Sequence, residues 1–252
     1  MYNYLFLFLL TVNFSFSWSG ITPSIRYFRS NLTGSFKTSN GIASTINKTS
    51  NQSMGVDLRL HILGTNLRFR YEPLSYRTKL KVQNTFDFQG QSFLIGDQLN
   101  FDLKMNSYDF QYGLSKSSFL KSSFYLGSGL NIIETKAKIS GTRALNTLSS
   151  ASSSKYLPMP YLVGNASYEF IKGLSIFTEY RWLDFSMFHN KLSSKDFEIG
   201  FKYHMNPLSA VSSNFFVGYK SRSQNLSLDY AGNQPTIDLN HKGFLASYDF
   251  RF

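Results

Sequence analysis

Apolar and polar residues alternate along most of this chain, up to its final residue. In GFLASYDFRF (243–252), every second position back from Phe252 is apolar, and the positions between include Asp249 and Arg251. A period of two is typical of a β-strand with one apolar and one polar face. Chain ends are usually frayed and solvated. This alternation therefore predicts a final strand that is held firmly in a sheet.

The same alternation recurs along the chain and predicts about ten strands, whereas helical spacing is not evident. In SMGVDLRLHI (53–62), for example, the even positions are apolar and the odd positions include three charged or imidazole side chains. Such runs, bounded by turn residues, are typical of strands. The predicted strands are 21–28, 53–62, 65–87, 93–113, 122–136, 159–171, 174–185, 195–205, 214–230 and 237–252.

Two of these strands contain a break in the pattern. The apolar positions are odd up to Tyr71 and become even from Leu74, with Pro73 between them. A second break lies at Asn106 and Ser107. Since a proline in a sheet is tolerated best at a bulge, the break at Pro73 predicts a bulge that keeps the apolar residues on one face.

The connections between strands alternate in length, which predicts how the strands are arranged. Short connections fall at 63–65, 114–118 and 172–174, with a somewhat longer one at 206–214. Longer or more polar ones fall at 31–51, 88–92, 140–155, 188–192 and 231–235. Tight turns at one end and larger loops at the other are typical of a transmembrane antiparallel up-and-down β-barrel. We therefore predict an all-β barrel of about ten strands.

A soluble β-sandwich is the alternative, because it also alternates. Three features favour the barrel. The predicted strands 65–87 and 93–113 are longer than the five or six residues typical of globular domains. Glycines share the charged side of the strands, which indicates a crowded interior. The sheet also continues to the last residue, as expected if the first and last strands close on each other in lipid.

The chain begins with MYNYLFLFLLTVNFSFSWSG, in which an apolar stretch precedes small residues. This order is typical of a secretory signal peptide, although no Lys or Arg precedes the apolar stretch. An uncleaved anchor helix is the alternative, but the stretch is too short to span a bilayer. We predict a signal peptide at 1–19 and a barrel domain at 20–252.

If the apolar faces contact lipid, the charged faces line the interior. The predicted interior charge network consists of Asp57, Arg59, Arg68, Arg70, Glu72, Lys79, Asp102, Lys104, Glu179, Arg181, Glu198, Lys202, Lys220, Arg222, Asp249 and Arg251. Turn geometry predicts two cross-strand pairs, Asp57 with Arg70 and Lys79 with Asp102. Because ten strands enclose a narrow interior, we expect ion pairs to plug it, and a conducting pore is the alternative.

The C-terminal strand resembles that of Gram-negative outer-membrane β-barrel proteins, which the barrel-insertion machinery recognises. The residues that carry this resemblance are Phe244, Tyr248, Phe250 and Phe252. The stretches 86–93, 159–181, 217–230 and 243–252 look like a family of exported outer-membrane barrels of about this length. The resemblance implies an outer-membrane location and contact with the insertion machinery. That family has no assigned activity.

No catalytic or cofactor motif is evident in the sequence, and cysteine is absent. His241, Ser247 and Asp249 share one face of the last predicted strand and suggest a catalytic triad. However, six residues of strand separate His241 from Ser247 by about 20 Å, which is far beyond hydrogen-bond reach. No metal-ligand spacing or phosphate loop is present. We therefore expect no cofactor, no metal and no enzymatic activity.

The formal net charge of +11 suggests anionic partners. Nucleic acid is not expected for an exported barrel. Basic residues cluster toward the predicted loop rim: Arg77, Lys79, Lys81, Lys136, Lys138, Arg143 and Lys155. This rim would pair with lipopolysaccharide phosphates or stay simply solvated. We expect a monomer with a structural or surface role. A narrow pore for small solutes, or an adhesin that uses the loops at 31–51 and 140–155, is the alternative.

Overall fold

The computed structural model describes residues 18–38, 41–62, 65–88, 91–117, 121–142, 148–187, 190–208, 211–227 and 236–251. The strands in these ranges are β1 (Trp18–Thr38), β2 (Gly41–Ile62), β3 (Thr65–Lys81), β4 (Phe86–Phe88), β5 (Gln91–Phe93), β6 (Gln98–Ser117), β7 (Ser122–Thr142), β8 (Leu148–Ile171), β9 (Leu174–Met187), β10 (Asn190–Leu208), β11 (Val211–Ser227) and β12 (Thr236–Arg251). Within the described ranges, no helix is long and apolar enough to cross a membrane. Almost all of the predicted signal peptide, residues 1–17, lies outside the described residues.

Ten of the strands form a closed antiparallel barrel, in the order β1-β2-β3-β6-β7-β8-β9-β10-β11-β12. β1 and β12 pair over fourteen residues, from Ser24 opposite Asp249 to Lys37 opposite Thr236. This pairing closes the sheet and leaves no open edge in the barrel. The predicted antiparallel barrel of ten strands is therefore confirmed. The final strand is held in the sheet because it pairs with the first strand of the chain.

A belt of exposed apolar side chains surrounds the half of the barrel nearest the chain termini. Each strand contributes to this apolar belt, for example Ile25, Val56, Phe69, Phe110, Leu130, Leu162, Ile176, Ile199, Phe215 and Phe244, all at least 37% exposed. Neighbouring rings contact each other along it, such as Phe69 and Phe110, whose centroids are 5.0 Å apart. An outward apolar band of this kind is typical of a transmembrane barrel.

Beyond the apolar belt, the two faces of the sheet exchange polarity. Leu74 and Met105 point inward and are no more than 3% exposed, and they pair directly in an unbroken register that includes Pro73 opposite Asn106. The predicted bulge at Pro73 and the predicted break at Asn106 are therefore wrong. β3 and β6 keep their parity as they leave the belt, so their outward face becomes polar and the interior takes up the apolar residues. A register shift does occur in β2, between Ile46 and Thr49.

The predicted loops at 31–51 and 140–155 are mostly strand. β1 and β2 cover the first of them apart from 39–40, and β7 and β8 cover the second apart from 143–147; these two gaps lie outside the described residues. Several of their inward side chains are apolar and buried, as at Leu32, Ile46 and Ile139, although Ser44 is also buried there. The alternation was not evident in the sequence here, because serine and threonine lie on the outward face. The two faces therefore differ less in polarity than they do in the belt.

A short hairpin, β4 and β5, lies between β3 and β6 at the end of the barrel opposite the termini, which we call the loop rim. Two backbone hydrogen bonds extend the β3–β6 pairing toward it: Val82 N–H donates to the Asp97 carbonyl, and Gly96 N–H donates to the Val82 carbonyl. Phe93 at the end of β5 is fully buried in the apolar interior, and β5 approaches β8. The hairpin therefore leans inward over the rim rather than projecting away from it.

Candidate functional site

Twelve charged side chains meet inside the barrel at the level of the apolar belt. This interior ion cluster consists of Arg26, Asp57, Arg68, Arg70, Glu72, Asp109, Glu179, Arg181, Asp196, Glu198, Lys220 and Arg222, each no more than 6% exposed. Six are cations and six are carboxylates, so the cluster is formally neutral. The excess positive charge of the chain therefore lies outside it.

Asp57 is the anion shared along one wall of the barrel. Arg70 is its direct cross-strand neighbour, as predicted, with Nε 3.5 Å from Oδ2. Its closest partner is Arg68, which donates from Nε to Oδ1 at 2.9 Å and from Nη2 to Oδ2 at 2.5 Å. A guanidinium that binds both carboxylate oxygens is oriented as well as neutralised.

Other contacts of the same arginines cross the bore. Arg68 Nη1 donates to Glu179 Oε2 on β9 at 2.7 Å. Arg70 Nη1 donates to Glu198 Oε1 at 3.3 Å. Arg70 lies on β3 and Glu198 on β10, and these two strands are five positions apart in the ring of ten. Arg26 on β1 reaches the same Glu198 oxygen at 2.8 Å. The ion pairs therefore span the full width of the interior.

A second set of contacts joins β11 to β3. Lys220 Nζ lies 2.6 Å and 2.8 Å from the two carboxylate oxygens of Glu72. Arg222 Nη2 donates to Glu72 Oε2 at 2.6 Å and to Asp196 Oδ2 at 2.8 Å. Lys220 is fully buried and also lies 5.3 Å from the centroid of the Phe28 ring. Its charge is thus held between carboxylates and an aromatic face.

The third set of contacts centres on Arg181. It donates to Asp109 Oδ2 at 2.7 Å and to Glu179 Oε1 at 2.6 Å. The Tyr161 hydroxyl donates to the other oxygen of Asp109. Gly129 makes room for this arrangement, because a Cβ there would collide with the Tyr161 ring. Asp109 on β6 is thereby linked to β8 and β9, which lie two and three strands away around the ring.

Among the described residues of the interior face, like charges lie directly opposite each other at two places. Glu179 is the cross-strand partner of Glu198, and Arg59 is the partner of Arg68. Directly opposed like charges destabilise a strand pair. Here the opposite wall supplies the counter-charge, because Arg68 and Arg70 reach both glutamates. The cluster is therefore a property of the closed barrel and not of any single hairpin.

A polar contact and then an apolar layer separate the cluster from the loop rim. The Tyr76 hydroxyl lies 2.7 Å from His241 Nδ1 and 2.8 Å from Ser30 Oγ. Beyond these residues the interior is filled by apolar side chains that include Leu74, Leu99, Phe101, Leu103, Met105, Ile133, Ile139, Leu157, Met159, Leu183, Leu192, Leu226 and Leu239. The bore thus contains a charged layer and an apolar layer in series.

The end of the bore nearest the termini is more open. Arg59 Nη1 lies 3.4 Å from Asp249 Oδ2, and Lys202 Nζ lies 4.0 Å from the same oxygen. The side chains of Arg59 and Lys202 are 24% and 29% exposed. These residues form the solvated edge of the charged layer.

The structure places twelve of the sixteen predicted network positions inside the barrel, corrects three and does not describe the side chain of one. Lys79, Asp102 and Lys104 are wrong, because they lie on the outward face of the strands beyond the belt. The register sets Arg77, not Lys79, opposite Asp102, and Arg77 Nε donates to Asp102 Oδ1 at 2.6 Å. Asp57, Arg59, Arg68, Arg70, Glu72, Glu179, Arg181, Glu198, Lys202, Lys220, Arg222 and Asp249 point inward, and β12 reaches Arg251, whose side chain lies outside the described residues.

Three members of the cluster were missed by the sequence prediction: Arg26, Asp109 and Asp196. The signal was present in each case. Asp109 lies between Tyr108 and Phe110, both of which are exposed, so the alternation alone would have placed it inside. The same argument applies to Arg26, which lies between Ile25 and Tyr27. For Asp196 the alternation is visible only on its C-terminal side, at Phe197, because Lys195 precedes it.

The predicted insertion residues of the last strand lie on its outward side. Phe244 is 45% exposed, and the rings of Tyr248 and Phe250 contact each other with centroids 4.6 Å apart. Phe252 lies outside the described residues. The described part of this strand therefore presents an apolar face toward the belt region.

The chemistry suggested by His241 does not have the geometry of a triad. His241 Nδ1 is bonded to Tyr76, whereas Ser247 Oγ donates to Asp249 Oδ1 at 3.4 Å. Among the described residues, no three His, Cys, Asp or Glu side chains are grouped so that they could hold a metal ion. The charged side chains of the interior are bound mainly to one another.

Comparison with known proteins identifies the fold. No protein-family model matches the sequence, and no curated protein is similar enough to match it. The chain is similar to the outer membrane protease OmpT from Escherichia coli, with a TM-score of 0.60 and 11% identity over 96% of this chain and 99% of that one. It is also similar to the translocator domain of the autotransporter NalP from Neisseria meningitidis, with a TM-score of 0.52 and 11% identity over 98% and 94%. At this identity the likeness shows a shared barrel fold.

Proposed function

We propose that this protein is an integral barrel of a Gram-negative outer membrane, with a structural or surface role and a bore closed by its own side chains. The apolar belt and the absence of an open barrel edge support the membrane location. The likeness in fold to outer-membrane barrels agrees with it. The stretches that resemble a family of exported barrels, together with the N-terminal signal-like sequence, support export.

The observation that carries the closed bore is the interior ion cluster. Its contacts join opposite walls, for example Arg70 to Glu198 and Lys220 to Glu72. An ion entering the bore would have to separate several buried pairs, and a buried charge that has lost its partner costs several kcal/mol. The apolar layer beyond the cluster adds a second barrier, because an ion there would find few polar partners.

Solute permeation tests this proposal. Proteoliposomes that contain the purified protein are placed in isotonic solutions of small sugars, and their swelling is followed by light scattering. We expect no swelling above that of liposomes without protein. Swelling that declines with increasing sugar size would instead identify a narrow pore for small solutes.

The surface role rests on the part of the barrel beyond the belt. β7 and β8 are 21 and 24 residues long, whereas 9–11 residues suffice to cross a membrane. The strands therefore carry a polar outer wall well past the belt. If the protein binds a partner at the surface, changing this wall should impair binding, whereas changing the short connections between strands should not. An adhesin would lose binding when outward residues there are replaced.

We propose no catalytic role for this chain. His241 is fully buried inside the barrel, where it does not meet an external substrate. His241 is occupied by Tyr76, and His204 Nδ1 lies 2.8 Å from Asn214 Oδ1. When the protein is overexpressed, we expect the membrane lipids and the surface peptides of the cells to stay unchanged. A new lipid species or cleavage product that disappears with His241→Ala would contradict it.

A further inference from the structure

We infer that the outer wall of β3, β6 and β7 binds a phosphorylated glycolipid of the surrounding outer leaflet. Its phosphates would lie against lysine and arginine side chains, and its acyl chains along the apolar groove beneath them. The inference goes beyond the closed bore, because it concerns the opposite face of the sheet. It stands or falls independently of whether the bore conducts.

The cations form a compact patch on three neighbouring strands. This basic face consists of Arg77 and Lys79 on β3, Lys104 on β6, and Lys136 and Lys138 on β7. Strands are about 4.8 Å apart and alternate residues about 6.6 Å apart, so all five lie within reach of one disaccharide bisphosphate. Two carboxylates lie among them, Asp102 and Glu134, which leaves a net charge of +3.

Three of these cations have no protein counter-charge. Asp102 is bound by Arg77 at 2.6 Å and Glu134 by Lys136 at 2.5 Å. Within the part of the chain that the structure describes, Lys79, Lys104 and Lys138 form no ion pair. These three side chains are exposed on the outer wall. They are therefore available to an external anion.

The register places two of the lysines directly opposite each other. Lys104 is the cross-strand partner of Lys136, and the next outward pair is Asp102 with Lys138. Opposed like charges destabilise a strand pair. Inside the barrel, oppositely charged side chains on the opposite wall neutralise such pairs. Lys104 points outward, so no opposite wall can supply its counter-charge. A bound phosphate would compensate it, which gives this arrangement a physical reason.

An apolar groove of about 660 Å³ lies on the belt beside the same strands. Its lining includes Phe69 and Tyr71 on β3, Tyr108 and Phe110 on β6, and Ile132 on β7. Tyr71 and Tyr108 form its edge toward the basic face, with ring centroids 5.2 Å apart. Aromatic residues of this kind mark the membrane–water interface in barrels.

A hydrogen-bonded row separates the groove from the basic face. Tyr71 donates to Asn106, Asn106 donates to Glu134 at 2.8 Å, and Tyr156 donates to Glu134. One outward step farther along the strands come Lys104 and Lys136. The order along the wall is thus apolar groove, aromatic edge, polar row and cations. An amphipathic lipid with acyl chains, sugar hydroxyls and phosphates has the same order.

Lipid retention measured by native mass spectrometry tests the inference. The intact protein, extracted in mild detergent, is mixed with bisphosphorylated lipid A, with its enzymatically dephosphorylated form, with phosphatidylglycerol, or with inorganic phosphate. The test variant is Lys104→Gln with Lys138→Gln. The matched control is Lys195→Gln with Lys242→Gln, which removes two exposed outward lysines from β10 and β12. Heat-modifiable migration confirms that each variant is folded.

The expected result is retention of bisphosphorylated lipid A that falls about tenfold in the test variant and stays unchanged in the control. Equal retention of the dephosphorylated lipid would overturn the inference, because the phosphates would then contribute nothing. Equal loss in both variants would also overturn it, since only total charge would matter. Competition by inorganic phosphate at equal concentration, or equal retention of phosphatidylglycerol, would contradict a glycolipid ligand.

Discussion

Arg70 Nη1 lies 3.3 Å from Glu198 Oε1, and this contact joins two strands that are diametrically opposite in the barrel. Both side chains are buried, at 3% exposure. Arg70 also lies near Asp57 and Glu179. A single guanidinium on β3 therefore contacts carboxylates on three other strands, the adjacent β2 and the distant β9 and β10. If the bore is closed, this residue is central to the closure.

Removing the Arg70 charge should destabilise the barrel far more than removing a similar surface charge. Arg70→Met leaves buried carboxylates without one of their cations, and we expect a loss of about 3 kcal/mol in the free energy of unfolding. Arg77→Met is the matched control, because Arg77 also binds a carboxylate but its side chain is 83% exposed. There we expect no measurable loss, because an exposed ion pair contributes little to stability. Urea unfolding in lipid vesicles, followed by tryptophan fluorescence, measures both. Equal losses would show that burial does not govern these ion pairs.

The exchange of polarity beyond the belt predicts which side chains reagents can reach. The chain has no cysteine, so single cysteines can be introduced without background. Lys104→Cys should react with a membrane-impermeant maleimide on whole cells, whereas Leu103→Cys should not, because Leu103 is 1% exposed inside the barrel. Mass shift of the purified protein gives the extent of labelling. Rapid labelling at Leu103→Cys with protection at Lys104→Cys would mean that a bulge does reverse the faces.

The close approach at Gly129 predicts a sharp difference between two glycines. Gly129→Ala brings a Cβ into the Tyr161 ring and to 2.7 Å from the Phe110 carbonyl oxygen, so we expect a loss of about 1–3 kcal/mol from overpacking. Gly164→Ala is the control, since its nearest neighbour would lie 3.9 Å away. Urea midpoints of the two variants measure the difference. A midpoint for Gly129→Ala equal to that of the control would show that the interior can adjust.

The outward residues of the last strand should matter for assembly rather than for final stability. Tyr248→Ser with Phe250→Ser removes apolar contacts that we propose the insertion machinery recognises, so the amount of folded protein in membranes should fall severalfold. Phe215→Ser, on the outward face of β11, removes a similar group from the belt and serves as control. Heat-modifiable protein in membrane fractions is the measurement. An equal fall in both would indicate lost lipid contact and not lost recognition.

The sequence was sufficient for the parts of the chain where one face meets lipid. There, strong contrast between neighbours such as Asp109 and Phe110 defines both the strand and the direction of each side chain. It was insufficient beyond the belt, because the faces exchange polarity at Pro73 without any change of parity, and this looked like a bulge. Serine-rich stretches such as 149–154 then looked like loop, although they are paired in β8.

The ion cluster was only partly predictable for a geometric reason. Alternation shows that a charge such as Glu72 points inward, and turn length can set a neighbouring partner such as Arg70 for Asp57. Neither the alternation nor the turn length identifies the residue that each charge contacts across the bore. That β3 faces β10 and β11 follows from ring closure with ten strands, so the contact of Glu72 with Lys220 could be known only from the folded barrel.

Single-channel recording in a planar lipid bilayer tests the closed bore most directly. The protein is inserted from proteoliposomes, and heat-modifiable migration of the same sample confirms that it is folded. We predict a silent baseline in 1 M salt across the usual range of voltages, because the ion pairs around Arg70 and Lys220 and the apolar layer beyond them leave no continuous path. Discrete, reproducible current steps that change in size when Arg70 or Glu198 is neutralised would contradict this account and identify the charged layer as the lining of a pore.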